Sequence, residues 1–72
     1  TLEQRVASFL LDEAARRGTD TLAITQEAIA LGIASAREAV TRALRQLAAR
    51  GMVEVFRGGV KLLDRKALYA LC

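Results

Sequence analysis

The stretch TQEAIALGIASAREAVTRALRQL, from Thr25 to Leu47, holds two helical periodicities separated by a glycine. Ile29, Ile33, Val40, Leu44 and Leu47 recur at spacings that bring apolar side chains onto a common seam. Arg37, Glu38, Thr41, Arg42 and Arg45 fall away from that seam. The pattern predicts two helices joined by a tight turn, the second with an apolar face and an opposite, donor-rich face of major-groove width.

The flanks supply the rest of a small domain. Leu2, Val6, Phe9, Leu10 and Ala14 share one helical face, so a first helix is expected over Leu2 to Arg17, ended by Gly18 as a left-handed cap. Its charges, Glu3, Arg5, Asp12, Glu13, Arg16 and Arg17, read mostly as a solvated face. Thr21 to Ile24 is short and β-biased, and suits a strand beside a later hairpin. Thr25 is a good N-cap for Gln26 to about Leu31, although Ala28 stands where a capping box would place Glu. The turn is expected around Gly32 to Ser35, and the longer helix from about Ala36 to Arg50.

Beyond Gly51 the period changes. VEVFRGGVKLL, Val53 to Leu63, reads as two strands around Arg57-Gly58-Gly59, where glycine supplies the positive φ of a tight hairpin. Asp64 then caps a closing helix, Arg65 to Leu71, with Leu68 and Leu71 turned inward. Helix, helix-turn-helix and two-stranded wing make an α+β, winged helix-turn-helix fold. Its core is expected to include Val6, Phe9, Leu10, Ile29, Val40, Leu44 and Leu47.

Composition narrows the chemistry. The 72 residues suit one small domain, 53% apolar but with three aromatics and no Trp, so the core is aliphatic. Proline is absent, and no apolar run approaches the ~20 residues of a membrane span. No signal-peptide pattern is present, and a chain opening on Thr1 is expected to be an excised fragment. There is no histidine, and Cys72 is the single cysteine, so neither a zinc site nor an internal disulfide can form. With no activated nucleophile and no phosphate-binding glycine loop, an enzyme is not expected. The lone thiol is consistent with a reducing cytoplasm.

The net charge of +3 matters through its placement. Residues 18–34 contribute only Asp20 and Glu27, whereas residues 35–50 set Arg37, Arg42, Arg45 and Arg50 against Glu38. Arg65 and Lys66 add the remaining excess. Clustered arginines on the second helix point to a polyanionic partner, double-stranded DNA above all. The alternative is a winged helix used for protein contact, whose docking face would more often expose aromatics or Met.

From Leu22 to Leu68 the chain resembles the DNA-binding domain of the Crp/Fnr family of bacterial transcription regulators. The resemblance rests on TQEAIA, AREAVTRALRQLAARGMVEV and VKLLDRKAL, with RVASFLL (Arg5 to Leu11) similar to the family's segment leading out of a connecting helix. A GntR-type regulator shares the V-x-x-AL helix and a glycine-containing wing, but not LLDRKAL. The family's S-R-E-x-V-x-R pattern implies base contacts at Arg37, Glu38 and Arg42. That agrees with arginine matching guanine O6/N7 and glutamate accepting from cytosine N4. Glu38 and Arg42 are also an i, i+4 pair able to form a plain surface salt bridge.

Backbone contacts are expected from Thr25, Gln26, Ser35, Thr41, Arg45 and Arg57. Thr25 and Gln26 read equally well as simple capping, and Arg57 as a solvated turn arginine. Two departures stand out. Ala34 occupies the turn position where the family usually has Gly, and Ala36 replaces a phosphate-touching Ser, leaving Ser35 as the candidate cap. The resemblance implies a TGTGA-like half-site repeated as a palindrome, and a homodimer formed through an N-terminal region absent here, with a jelly-roll-like sensor and a dimerisation helix. It also implies RNA polymerase as a further partner and a cytoplasmic location. No cofactor is expected in this domain, and residues 1–72 are expected to be one DNA-binding unit.

Overall fold

Thr1 opens the first helix with a full capping box: its hydroxyl accepts from the Gln4 amide and its amine donates to Gln4 Oε1. The computed structural model describes residues 1–72. Helix α1 (Leu2–Arg17) ends at Gly18, whose φ of 70° lets its N–H reach the Ala14 carbonyl. Strand β1 (Thr21–Leu22), helix α2 (Gln26–Gly32) and helix α3 (Arg37–Ala49) follow. Strands β2 (Val53–Phe56) and β3 (Gly59–Leu62) form the wing, and α4 (Arg65–Leu71) closes the chain. No helix is long and apolar enough to cross a membrane.

The core is aliphatic, as composition requires. Eighteen buried apolar residues form one cluster, with Val6, Leu10, Ile29, Val40, Leu44 and Leu47 at its centre. Helix α1 packs across α3 and α4, and α2 lies on α3. Phe9, expected inside, is only partly buried and packs against the cluster's edge. Its ring lies over Gly32, where any Cβ would overlap it. A flat ring over a glycine seals the α1–α2 crossing without entering the core.

The sheet is antiparallel throughout, in the order β1-β3-β2. Thr21–Leu22 thus adds a strand beside the wing, shorter than the β-biased run. Phe56 pairs with Gly59, leaving Arg57 and Gly58 as the turn. Only Gly58 has a positive φ there, 82°, so the turn is not the doubly left-handed kind. Gly59 is required for space: a Cβ would strike the Phe56 ring and the Leu22 carbonyl. Asp64 caps α4 by accepting from the Ala67 amide, and Arg65 binds Asp20 at 2.5 Å, tying α4 to the approach of β1.

The outer face of α1 does more than meet water. Glu13 is buried and accepts from both Arg16 and Arg17. The Arg16 guanidinium bonded to it holds its carboxyl below the ordinary value of 4.5 and outweighs the burial that opposes it. Glu3 pairs with Arg50 at 3.6 Å, and Arg5 donates to the Ile33 carbonyl. The face expected to be solvated therefore pins α1 to the end of α3 and to the interhelical turn.

Candidate nucleic-acid interface

The turn between α2 and α3 sets the geometry of everything exposed on α3. Helix α2 ends as the Ile33 N–H bonds the Ile29 carbonyl at 3.0 Å. Ala34 then takes φ 54°, the only non-glycine residue in the left-handed region. That reversal brings the Ser35 N–H to the Ala30 carbonyl at 2.9 Å. A left-handed alanine is strained by Cβ–carbonyl crowding, which is why glycine is favoured at such positions. Arg5 braces the same turn from α1 through the Ile33 carbonyl.

Helix α3 begins without a side-chain cap. Ala36 is the N-cap residue and can make no such bond, and Ser35 does not replace it. The expectation that Ser35 takes over capping fails because it lies one residue too early, inside the left-handed turn. By contrast, Thr25 caps α2 by accepting from the Ala28 amide at 3.0 Å.

Once α3 is seated through Val40, Ala43, Leu44 and Leu47, its other face is fixed. Arg37, Glu38, Thr41, Arg42 and Arg45 line one continuous open surface that contains no apolar residue. Arg42 and Arg45 are exposed and pair with no acid. Glu38 and Arg42 do not form the salt bridge that their spacing allows; both side chains are free. Arg50, counted with this positive cluster, is turned away to Glu3.

A second concavity adjoins the first. The start of α2 (Thr25, Gln26, Glu27), the wing tip (Phe56 to Gly59) and Arg37 surround one cleft. It brings Thr25, Gln26, Arg37 and Arg57 together, although they lie far apart in sequence. Ser35 borders neither surface and is half-buried beside the turn. Arg37 thus stands where the two surfaces meet.

Two contacts across these surfaces escaped the sequence reading. Thr41 Oγ1 donates to Gln26 Oε1, and Arg37 pairs with Glu27 at 3.4 Å. Glu27 appeared only as part of an acidic balance. Its partner lies ten residues on, and no helical spacing links them; only the angle of the turn does. With its Oε1 occupied, Gln26 still has its amide N–H donors available.

A family described as the Crp-like helix-turn-helix domain matches residues 4–71. Among solved structures, the chain is similar to a protein from Eubacterium rectale assigned to the Crp/Fnr family of transcriptional regulators. The identity is 46% and the TM-score 0.96, over 99% of this chain and 33% of that one. A Crp/Fnr-family transcriptional regulator of Thermus thermophilus is 31% identical, with a TM-score of 0.87 over 99% of this chain and 40% of its own. The catabolite activator protein of Thermus thermophilus is 30% identical, with a TM-score of 0.87 over 96% of this chain and 32% of its own. The chain thus spans about a third to two-fifths of these proteins. A comparison with curated proteins gave no match. The chain belongs to the Crp-like helix-turn-helix family, as a winged-helix DNA-binding domain of the Crp/Fnr type.

Proposed function

We propose that α3 enters the major groove of a duplex site, with Arg37, Glu38 and Arg42 reading base edges. The carrying observation is the continuous polar face of α3, on which Arg42 is exposed and pairs with no acid. A guanidinium free of competing acids can present its fork to guanine O6 and N7, and the free Glu38 carboxylate can accept from cytosine N4. A protein-docking face would instead expose a contiguous apolar centre.

Backbone contacts fall to Thr25, Gln26, Arg45 and Arg57; Thr41 acts through Gln26, to which its hydroxyl donates, and Ser35, half-buried beside the turn, borders neither surface. Such contacts set register and orientation without carrying sequence information. Arg57 and Thr25 approach one cleft from opposite sides, as a clamp on a sugar–phosphate chain requires. Residues 1–72 act as one unit of a homodimeric, cytoplasmic regulator whose effector region precedes them, and such a regulator contacts RNA polymerase in turn. Two-fold symmetry places TGTGA-like half-sites about one helical turn apart, ~10–10.5 bp centre to centre.

The test is selection of duplex sites from a randomised library by the full-length protein and two variants. Arg42→Ala is expected to weaken the preferred site by about 1–3 kcal/mol and flatten one G·C position. Arg57→Ala is expected to weaken every sequence nearly equally. An unchanged motif for Arg42→Ala together with an altered one for Arg57→Ala would make the wing the reading element.

A further inference from the structure

The first turn of α2 holds the outer face of α3 by two adjacent contacts. Gln26 accepts from Thr41, and Glu27 pairs with Arg37 at 3.4 Å. Residues 37 and 41 are one helical turn apart, so the two contacts form consecutive rungs between the helices. The Glu27 and Arg37 side chains remain 71% and 62% exposed, so the ion pair adds little to folding. Its position is what gives it consequence.

Glu27 is the single acidic residue of the cleft between α2 and the wing, whose charged side chains are otherwise Arg37 and Arg57. On a surface that meets phosphates, a carboxylate reduces attraction to every sequence alike. It also occupies one edge of the Arg37 guanidinium. An arginine paired there is biased away from the nearest phosphate, and its remaining N–H donors stay available to a base edge.

We infer that Glu27 is a specificity-determining positioning residue: it holds Arg37 as a base reader and gives up non-specific affinity in doing so. The inference rests on the reading of Arg37 as a base contact. Without the carboxylate, Arg37 becomes a generic phosphate cation, whose binding is stronger on random DNA and less selective on the operator. Gln26 and Thr41 form the second rung and keep the α2 turn in register with α3, so that the Glu27 carboxylate meets the guanidinium.

The experiment compares the full-length protein with Glu27→Gln, Arg37→Ala and the double variant, on a selected operator and on random duplex across a salt series. Glu27→Gln should bind random DNA several-fold more tightly at low salt, with a log–log salt slope steeper by about one. It should also lose about two- to fivefold of its discrimination at the base pair that Arg37→Ala flattens. In the Arg37→Ala background, Glu27→Gln should still tighten random binding but change discrimination no further. Glu27→Ala should follow the same order. If Arg37→Ala flattens a position and Glu27→Gln leaves discrimination intact, the inference is overturned while the reading of Arg37 stands. If Arg37→Ala leaves the motif unchanged, the base-contact reading fails, and the inference with it.

Discussion

Replacing Ala34 with glycine removes the one Cβ that the backbone holds in the left-handed region, at φ 54°. An L-residue in that conformation costs about 1–2 kcal/mol from crowding against the following carbonyl. Glycine gives back roughly 0.4–1 kcal/mol, because the unfolded chain gains freedom that folding must remove. The balance favours glycine by about 0.5–1 kcal/mol, which for a domain this size raises the melting midpoint by about 2–8 °C. No packing term confuses the comparison: Ala34 is exposed, and its N–H keeps the bond to the Leu31 carbonyl whatever its side chain. Thermal unfolding followed by circular dichroism reads the shift, with Ala34→Val as the counter-test. A β-branched residue at this φ should lower the midpoint well below the parent's. A glycine variant that melts at or below the parent temperature would refute the reasoning, because the turn would then not hold residue 34 left-handed in solution.

Three further outcomes follow from the packing and the charges. Leu44 is 1% exposed at the centre of the core, so Leu44→Ala should cost about 2–5 kcal/mol in chemical denaturation. A domain of this length has roughly 4–11 kcal/mol in all, so full cooperative stability in that variant would mean the α3 register is wrong. Glu13 titrates in the fold below its ordinary 4.5 because Arg16 and Arg17 hold the charged form. Its contribution is therefore complete above that pH and fades as pH falls through the lowered value. The melting midpoints of the parent and Glu13→Gln should differ most near neutrality and converge in acid; a gap that widens with acidification would contradict the assignment. Arg65→Ala should leave DNA binding unchanged while loosening α4, measured as faster amide exchange near Asp20, since its partner lies on the β1 approach and not on the α3 face.

What could be read from sequence was local. Caps, turn glycines and periodicity act over three or four residues, and so Gly18, Thr25 and Asp64 stand where the sequence places them. The α3 face was legible for the same reason, since Val40, Leu44 and Leu47 on one side leave Arg37, Glu38, Arg42 and Arg45 on the other. Ser35 was misread because capping depends on one residue's placement, and a left-handed turn had already claimed it. Phe9 was misread because periodicity gives a face and not a depth; Gly32 decides the depth by giving the ring somewhere to lie.

The site was harder, because charge along a chain says nothing of who pairs with whom. Arg37, Arg42, Arg45 and Arg50 count equally in a tally of α3, yet they stand in three different situations. Arg50 is paired with Glu3 on α1, Arg37 is shared with Glu27 on α2, and Arg42 and Arg45 are free. Those partners are 47 and 10 residues away, and only the helix crossing angles bring them close. A composition-level estimate of phosphate attraction therefore overstates this face. The free arginines supply the attraction, whereas the shared one is where discrimination can be built. The same angle that the strained turn at Ala34 sets between α2 and α3 decides whether Glu27 reaches Arg37. Ala34→Gly should therefore leave operator selectivity unchanged if it relieves strain without moving the helices, and reduce it only if the turn itself shifts. Measuring its stability and its selected motif together separates these cases: a more stable variant with an unaltered motif places the alanine's cost in the backbone alone, while a more stable variant with a relaxed motif would show that the strain itself holds Glu27 against Arg37.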